Sequence, residues 1–279
     1  MNNISWIRGF NASVGLVAPH ALASKLRREF MTPRETLPRD WELPLLGLSE
    51  RVTLRFGLSA LRWGSGPTVL LMHGWEGRPT QFAELIKALV KAGYGVVALD
   101  APAHGRSPGQ EATVVQFAHA LLEAANELPP LKAVIGHSMG GASVLLATQL
   151  GLRAEAVVSI AAPSRILTML RRFTRYMGLP AQAGAHFVHL IEEKAGMPAG
   201  KLDVAQYQLD YPGLVVHAAD DPVVPFSEAE IIHQAWFDSR LLRLEEGGHQ
   251  RLLADPRLHE AVLQLLGTAR QTLPGAVAL

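Results

Sequence analysis

"VIGHSMGGAS", residues 134–143, runs from an apolar stretch through Ser138, with a glycine two positions to either side, into a run of helical character. A strand that turns directly into a helix forces its corner residue into an uncommon backbone conformation, and only small neighbours let the chain pass without collision. Gly136 and Gly140 meet that need. The hydroxyl of Ser138 is then thrust into the open at the top of a sheet, and the amide of Met139 points back at whatever that hydroxyl attacks. Glycine and serine are common, so the pentapeptide takes its weight from the strand before it and the helix after it.

The rest of the chain supplies that context. Short β-branched runs recur at 68–73, 95–100, 132–137, 156–163, 214–220 and 240–246, and stretches of helical period such as Phe82, Leu85, Ile86, Leu89 and Val90 separate most of them. This alternation predicts an α/β fold, a mostly parallel sheet with helices on both faces. Reactive groups in such sheets gather at the carboxyl ends of the strands. "RVTLRFGLSALRWG", 51–64, predicts an antiparallel hairpin entering the sheet.

One connection breaks the rhythm, because about fifty residues separate "SIAAP" from "LVVHAAD" where one crossover helix would suffice. Within it Ile166, Leu167, Met169, Leu170, Phe173, Tyr176 and Met177 form a helical stripe opposite Arg165, Arg172 and Arg175, and a second helix is expected at about 184–195. Two amphipathic helices after a central strand suggest a cap over the strand ends. The first fifty residues lie outside the pattern. Pro19 can open a helix on which Leu22, Leu26 and Phe30 share a face beside Lys25, Arg27 and Arg28. Such a helix can lie on a membrane, but the stripe is short, and packing against the body or a second copy in a homodimer is preferred.

Composition narrows the function. With 48% apolar and 18% charged residues the 279-residue chain has a globular balance, and a net charge of +1 gives no global field toward nucleic acid. The absence of cysteine excludes disulfides, thiolate metal sites and a cysteine nucleophile. Ala21–Ala23 loosely mimics a cleavage site, yet Asn11, Ser13, Gly15, Pro19 and His20 interrupt the apolar core that a signal peptide needs. No run reaches the length of an integral membrane span. A cytoplasmic location is therefore expected, with a periplasmic or secreted one as the alternative.

A serine hydroxyl stays protonated near neutral pH and needs a base. His249, in "EEGGHQRLL" after the last strand, can swing over the strand ends on its glycine pair. His73, His104 and His217 are explained by ordinary hydrogen bonding, and strand geometry turns His137 to the opposite side. The base needs an acid to fix its tautomer. Asp220 and Asp221 follow "LVVHAA"; either can serve, with Asp221 preferred for its place before Pro222 and the other capping the turn, while Asp100 organises its own loop. An oxyanion hole requires two donors, and the amides of Met139 and of Trp75, in "HGWEG", are the candidates.

The order Ser138, Asp221, His249, together with "HGW" (73–75), "DAPAHGRS" (100–107) and "GHSMGG" (136–141), resembles the α/β-hydrolase fold family over roughly residues 51–268. That resemblance implies an eight-stranded sheet with the second strand antiparallel and a cap after the sixth. The core would then be 51–163 and 210–268, the cap 164–209, with a partly helical extension at 1–50 and a tail at 269–279. Ala103 departs from the glycine many relatives carry. Members with these motifs are mainly carboxylesterases and lipases, with thioesterases, acyltransferases and cofactor-free haloperoxidases among their relatives. The expected activity is cleavage of a small-molecule ester through an acyl-enzyme, with turnover falling on acidification through roughly pH 6–7 as the imidazole protonates. A non-catalytic ligand-binding protein, an acyltransferase and a thioesterase are the alternatives. No metal or organic cofactor is required, and His186 and His189 are read as a solvated helix face.

Overall fold

Eight strands form one sheet in the order β1 (Glu50–Thr53), β2 (Ser59–Trp63), β4 (Gly95–Leu99), β3 (Thr68–Met72), β5 (Leu131–His137), β6 (Val157–Ile160), β7 (Gly213–Ala218), β8 (Ser239–Leu244). The structure is a computed structural model and describes residues 3–268, so the expected tail at 269–279 lies outside the described residues. β2 runs antiparallel to both β1 and β4, and every other pairing is parallel, as the resemblance implied. Strands end slightly earlier than their apolar runs, because the backbone turns away. After β6, for example, Ala161 has φ 49°.

Side chains of the central strands alternate between two cores. Leu70, Met72, Val97, Leu99 and Val134 join one, with helices α5 (Val114–Glu127), α6 (Met139–Gln149) and α9 (Ser227–Ala235). Val69, Leu71, Val96, Ala98 and Ile135 join the other, with α4 (Ala83–Lys91) and α10 (Pro256–Thr268). This period of two, with both faces covered, is why these strands carry apolar residues without interruption. α6 is buried from Gly140 to Thr148 and has no charged residue, as a helix enclosed on all sides must be.

Helices α7 (Ile166–Tyr176) and α8 (Ala181–Ala195) lie between β6 and β7. Ahead of the sheet come α1 (Asn3–Val17), α2 (Pro19–Met31) and the short α3 (Leu43–Gly47). The apolar face of α2 does not await a membrane or a second copy. Leu22 and Leu26 are buried with Ala183 and Phe187 of α8, and Phe30 lies 4.6 Å from Phe173 and 5.5 Å from Phe187, ring centre to ring centre. α1 was not anticipated as a helix, because its polar and small residues interrupt the apolar run. Those residues are the ones that dock. Asn11 is buried and donates from Nδ2 to the Met177 carbonyl at 2.8 Å, and a Cβ on Gly15 would lie 2.6 Å from Pro180.

Candidate active site

The corner at Ser138 is as tight as its sequence demanded. Ser138 joins β5 to α6 at φ 55°, ψ −122°, a conformation that costs about 1–3 kcal/mol and persists only where its surroundings hold it. Its N–H donates to the Ile160 carbonyl at 2.8 Å, and its own carbonyl accepts from Ala142 N–H at 3.1 Å. A Cβ on Gly136 would stand 2.2 Å from the Gly140 carbonyl oxygen, and one on Gly140 2.3 Å from that of Met72. Neither position admits a side chain.

At the carboxyl ends of β5, β7 and β8, three residues distant in sequence meet. Ser138 Oγ donates to His249 Nε2 at 2.9 Å, and His249 Nδ1 donates to Asp221 Oδ2 at 2.7 Å. Asp221 Oδ1 meanwhile accepts from the backbone N–H groups of Val223 (2.8 Å) and Val224 (3.0 Å), so one carboxylate caps its own turn and receives the imidazole. His217 Nε2 lies 3.3 Å from Asp221 Oδ2 and donates to the Val224 carbonyl at 2.9 Å. Burial works to raise the Asp221 pKa, but the hydrogen bonds from His217, His249 and Val224 N–H outweigh it and hold the carboxyl well below the usual carboxylate range. Asp220 plays a separate part, because its Oδ1 accepts from Gly248 N–H at 2.7 Å and so anchors the loop that carries His249.

His137, the last residue of β5, follows the strand alternation that its sequence reading assumed. It is buried beside Phe82 and Gln81 on the face that carries Ile135, with its ring centre 4.9 Å from that of His249, and its Nε2 donates to the His249 carbonyl at 2.7 Å. His186 departs from expectation. Its ring centre lies 3.5 Å from that of His20 on α2, tilted by 36°, with Nε2 buried, whereas His189 is exposed beside Glu193. Among the described residues no group of three or more His, Asp or Glu could hold a metal ion.

The loop after β3 passes directly against the serine, since a Cβ on Gly74 would stand 2.8 Å from Ser138 Cβ. Among the described residues, neither the Trp75 amide nor that of Met139 is paired with a protein acceptor. Glu76, at φ 51°, is held from three directions. Its N–H donates to His104 Nε2 at 3.0 Å, its carbonyl accepts from Thr36 Oγ1 at 3.0 Å, and its carboxylate accepts from Arg34 Nε and Nη2 at 2.9 and 3.0 Å. The N-terminal extension therefore braces this loop, a role no motif signals. The neighbouring loop explains Ala103, which takes φ 62° where glycine is usual, and Asp100 holds that loop through Arg51 and Arg106 N–H.

Buried neutral histidines surround the site. Burial pushes His73 and His137 down to about 3, and lowers His104 as well. Each must stay neutral while folded but protonates freely once unfolded, so the unfolded chain binds more protons below the ordinary value of 6.5. The fold is therefore at full strength above about pH 6.5 and weakens as the pH falls toward 3. Urea unfolding at about pH 7.5 and about pH 5 is expected to differ by on the order of 2–4 kcal/mol in favour of the higher pH. An equal or greater stability at pH 5 would contradict these environments.

A cavity of about 250 Å³ opens over Ser138. Trp75 and Met139 line it from the sheet side, Ile166, Met169, Leu170 and Ile191 from α7 and α8, and Phe30 and Met31 from α2. The last two lie outside every motif and were not foreseen. Glu192 is the single charged lining residue, and its Oε1 accepts from Ala199 N–H at 2.8 Å. Arg171, Arg172 and Arg175 of α7 turn outward to solvent. A larger cavity of about 480 Å³, lined by Glu50, Arg62, Thr68 and Gly95, lies at the amino ends of β3 and β4, away from this chemistry.

The sheet order, the strand-to-helix serine corner and the residues meeting above it define an alpha/beta hydrolase. The model of the alpha/beta hydrolase family matches residues 69–263, and the chain belongs to that family. Among individual relatives, Esterase YjfP of Escherichia coli strain K12 is 30% identical over 210 residues, spanning 67% of this chain and 78% of its own length. The Pyrococcus furiosus esterase Pf2001 superposes with a TM-score of 0.63 at 20% identity, over 85% of this chain and 97% of that one. The bromoperoxidase from Bacillus anthracis superposes with a TM-score of 0.57 at 21% identity, over 78% and 100%. At these identities the two solved structures establish a shared fold.

Proposed function

We propose that this hydrolase is a serine esterase that cleaves an uncharged carboxylic ester through an acyl-enzyme. The observation that carries the reading is the unbroken chain from Ser138 Oγ through His249 to Asp221, with 2.9 and 2.7 Å links, under an apolar cavity. Ser138 Oγ attacks the ester carbonyl while its proton passes to His249 Nε2, and Asp221 stabilises the resulting imidazolium. The amides of Trp75 and Met139 receive the oxyanion, aided by the positive N-terminal end of α6. Collapse expels the alcohol, which takes the proton from His249. Water, activated by the same imidazole, then releases the acid and restores the serine.

In this reading residues 164–209 act as the cap and 51–163 with 210–268 as the catalytic body. The cavity falls just under the roughly 300–1,000 Å³ usual for small-molecule pockets, which suits one short or medium acyl chain. A carboxylate-bearing acyl group would meet Glu192 and no cation in the lining. Two esterase names among the relatives and neighbours agree with this choice of reaction.

Labelling with a fluorophosphonate tests the proposal, because the reagent needs an activated serine whatever the natural ester is. Wild-type protein is expected to label and Ser138→Ala to stay unlabelled, with neutral butyryl esters turned over at least about tenfold better than succinyl ones. A wild type that resists the reagent would leave the fold as a ligand-binding module.

A further inference from the structure

Helix α1 is built inside out. Its inward face carries buried Asn11 and Gly15, while Trp6, Phe10 and Val17 point to solvent with 72%, 61% and 87% of their surface exposed. Positions 6, 10 and 17 fall on one stripe of a helix, with exposed Ser13 between the last two turning its hydroxyl back to the Gly9 carbonyl at 3.1 Å. Leu16 and Ile7 flank it, also exposed. A groove beside the stripe, between α1 and α2, is lined by Trp6, Ile7, Phe10, Leu22, Leu26 and Met177. A contiguous apolar surface of this kind marks a place where something other than water is met.

The charges around the stripe decide what that is. α1 contains no acidic residue, and its one cation, Arg8, packs against Gly178 in the turn between α7 and α8. α7, which meets α1 at its C-terminal end through Met177, contains no acidic residue either and exposes Arg171, Arg172 and Arg175, two of which, Arg171 and Arg175, line a separate groove against α8. On α2, Lys25 and Arg28 are exposed, and Glu29 is the one acid at the groove, 3.9 Å from Lys25. The whole chain carries only +1, so this is a local concentration of positive charge rather than an overall bias. A second copy meeting the first through the same face would bring these cations together, which opposes association. A bilayer with anionic headgroups would satisfy the apolar stripe and the cations together.

We propose that α1, with the basic edges of α2 and α7, docks the protein on an anionic lipid surface, with Trp6 and Phe10 entering the headgroup region. Because α1 rests on the turn that joins α7 to α8, docking brings the insertion lining the Ser138 cavity close to the lipid.

Cosedimentation of the full chain with phosphatidylcholine vesicles, with and without about 30% phosphatidylglycerol, tests this. The wild type is expected to bind the anionic vesicles at least about tenfold better, and less as salt is raised. The double variant Trp6→Ser/Phe10→Ser should lose about tenfold or more of that binding, and Arg172→Gln about fivefold, while turnover of a soluble p-nitrophenyl ester stays at the wild-type level. Wild-type protein left in the supernatant with anionic vesicles would overturn the proposal, as would binding that survives the double variant. So would a dimer in sedimentation equilibrium that the double variant dissolves, which would assign the face to a second copy.

Discussion

Replacing Ser138 by alanine is expected to lower kcat for a short p-nitrophenyl ester by about 10⁴-fold or more, because the attacking oxygen disappears and only the oxyanion donors and the cavity remain. The fold should be unaffected. Alanine occupies the same φ of 55° at the same cost as serine, and the lost partner of His249 Nε2 faces an open cavity. Glycine tells the two effects apart. Ser138→Gly should be equally inactive yet more stable by about 1 kcal/mol, since a residue without a Cβ adopts this conformation freely. Steady-state kinetics and thermal unfolding of the three proteins give the answer. Full turnover by the alanine variant would remove Ser138 from the chemistry.

Asp221→Asn should cost nearly as much, about 10⁴-fold in kcat, by leaving His249 free to present the wrong tautomer and its cation unstabilised. A second signature separates this from simple misfolding. The Asp221 carboxyl is held below the usual range, so the folded state binds fewer protons there than the unfolded chain, whose carboxyl has its ordinary value of 3.8. The stability this carboxylate contributes is therefore present above that value and lost as the pH falls below it. The carboxamide of the variant does not titrate and contributes no such dependence. The wild type should be more stable than the variant near neutral pH, with the difference shrinking below about pH 4. A difference that stays constant, or widens in acid, would show that the carboxylate is not held by its hydrogen bonds.

The sheet was legible in the sequence because its signals are local: apolar runs of strand length, separated by helical periods, need no knowledge of the partner strand. Ser138 was legible for the same reason, its two glycines being required by backbone atoms within six positions of it and by the end of the adjacent β3. Asp221 and His249 were approached through chain order and strand ends, and the structure brings both to Ser138. What stayed hidden depends on tertiary approach. Nothing in "REFM" announces that Phe30 and Met31 line a cavity whose floor is formed over a hundred residues later. Arg34 gripping Glu76 across 42 positions is equally silent in sequence. α1 stayed hidden because its inward face is polar and its outward face apolar, the reverse of what hydrophobic pattern reading assumes.

The seating of α1 and α2 on α8 has a consequence for biosynthesis. These two helices leave the ribosome before any strand of the sheet, yet the surface that receives them is made later; the bond from Asn11 to Met177 closes a span of 166 positions. Until the segment at 181–195 emerges, Leu22 and Leu26 lack the α8 side chains that bury them, and the nascent chain carries them partly uncovered through the synthesis of six strands. The residues that finish the wall above Ser138 are thus translated before the sheet and can take their place only once α8 has been made.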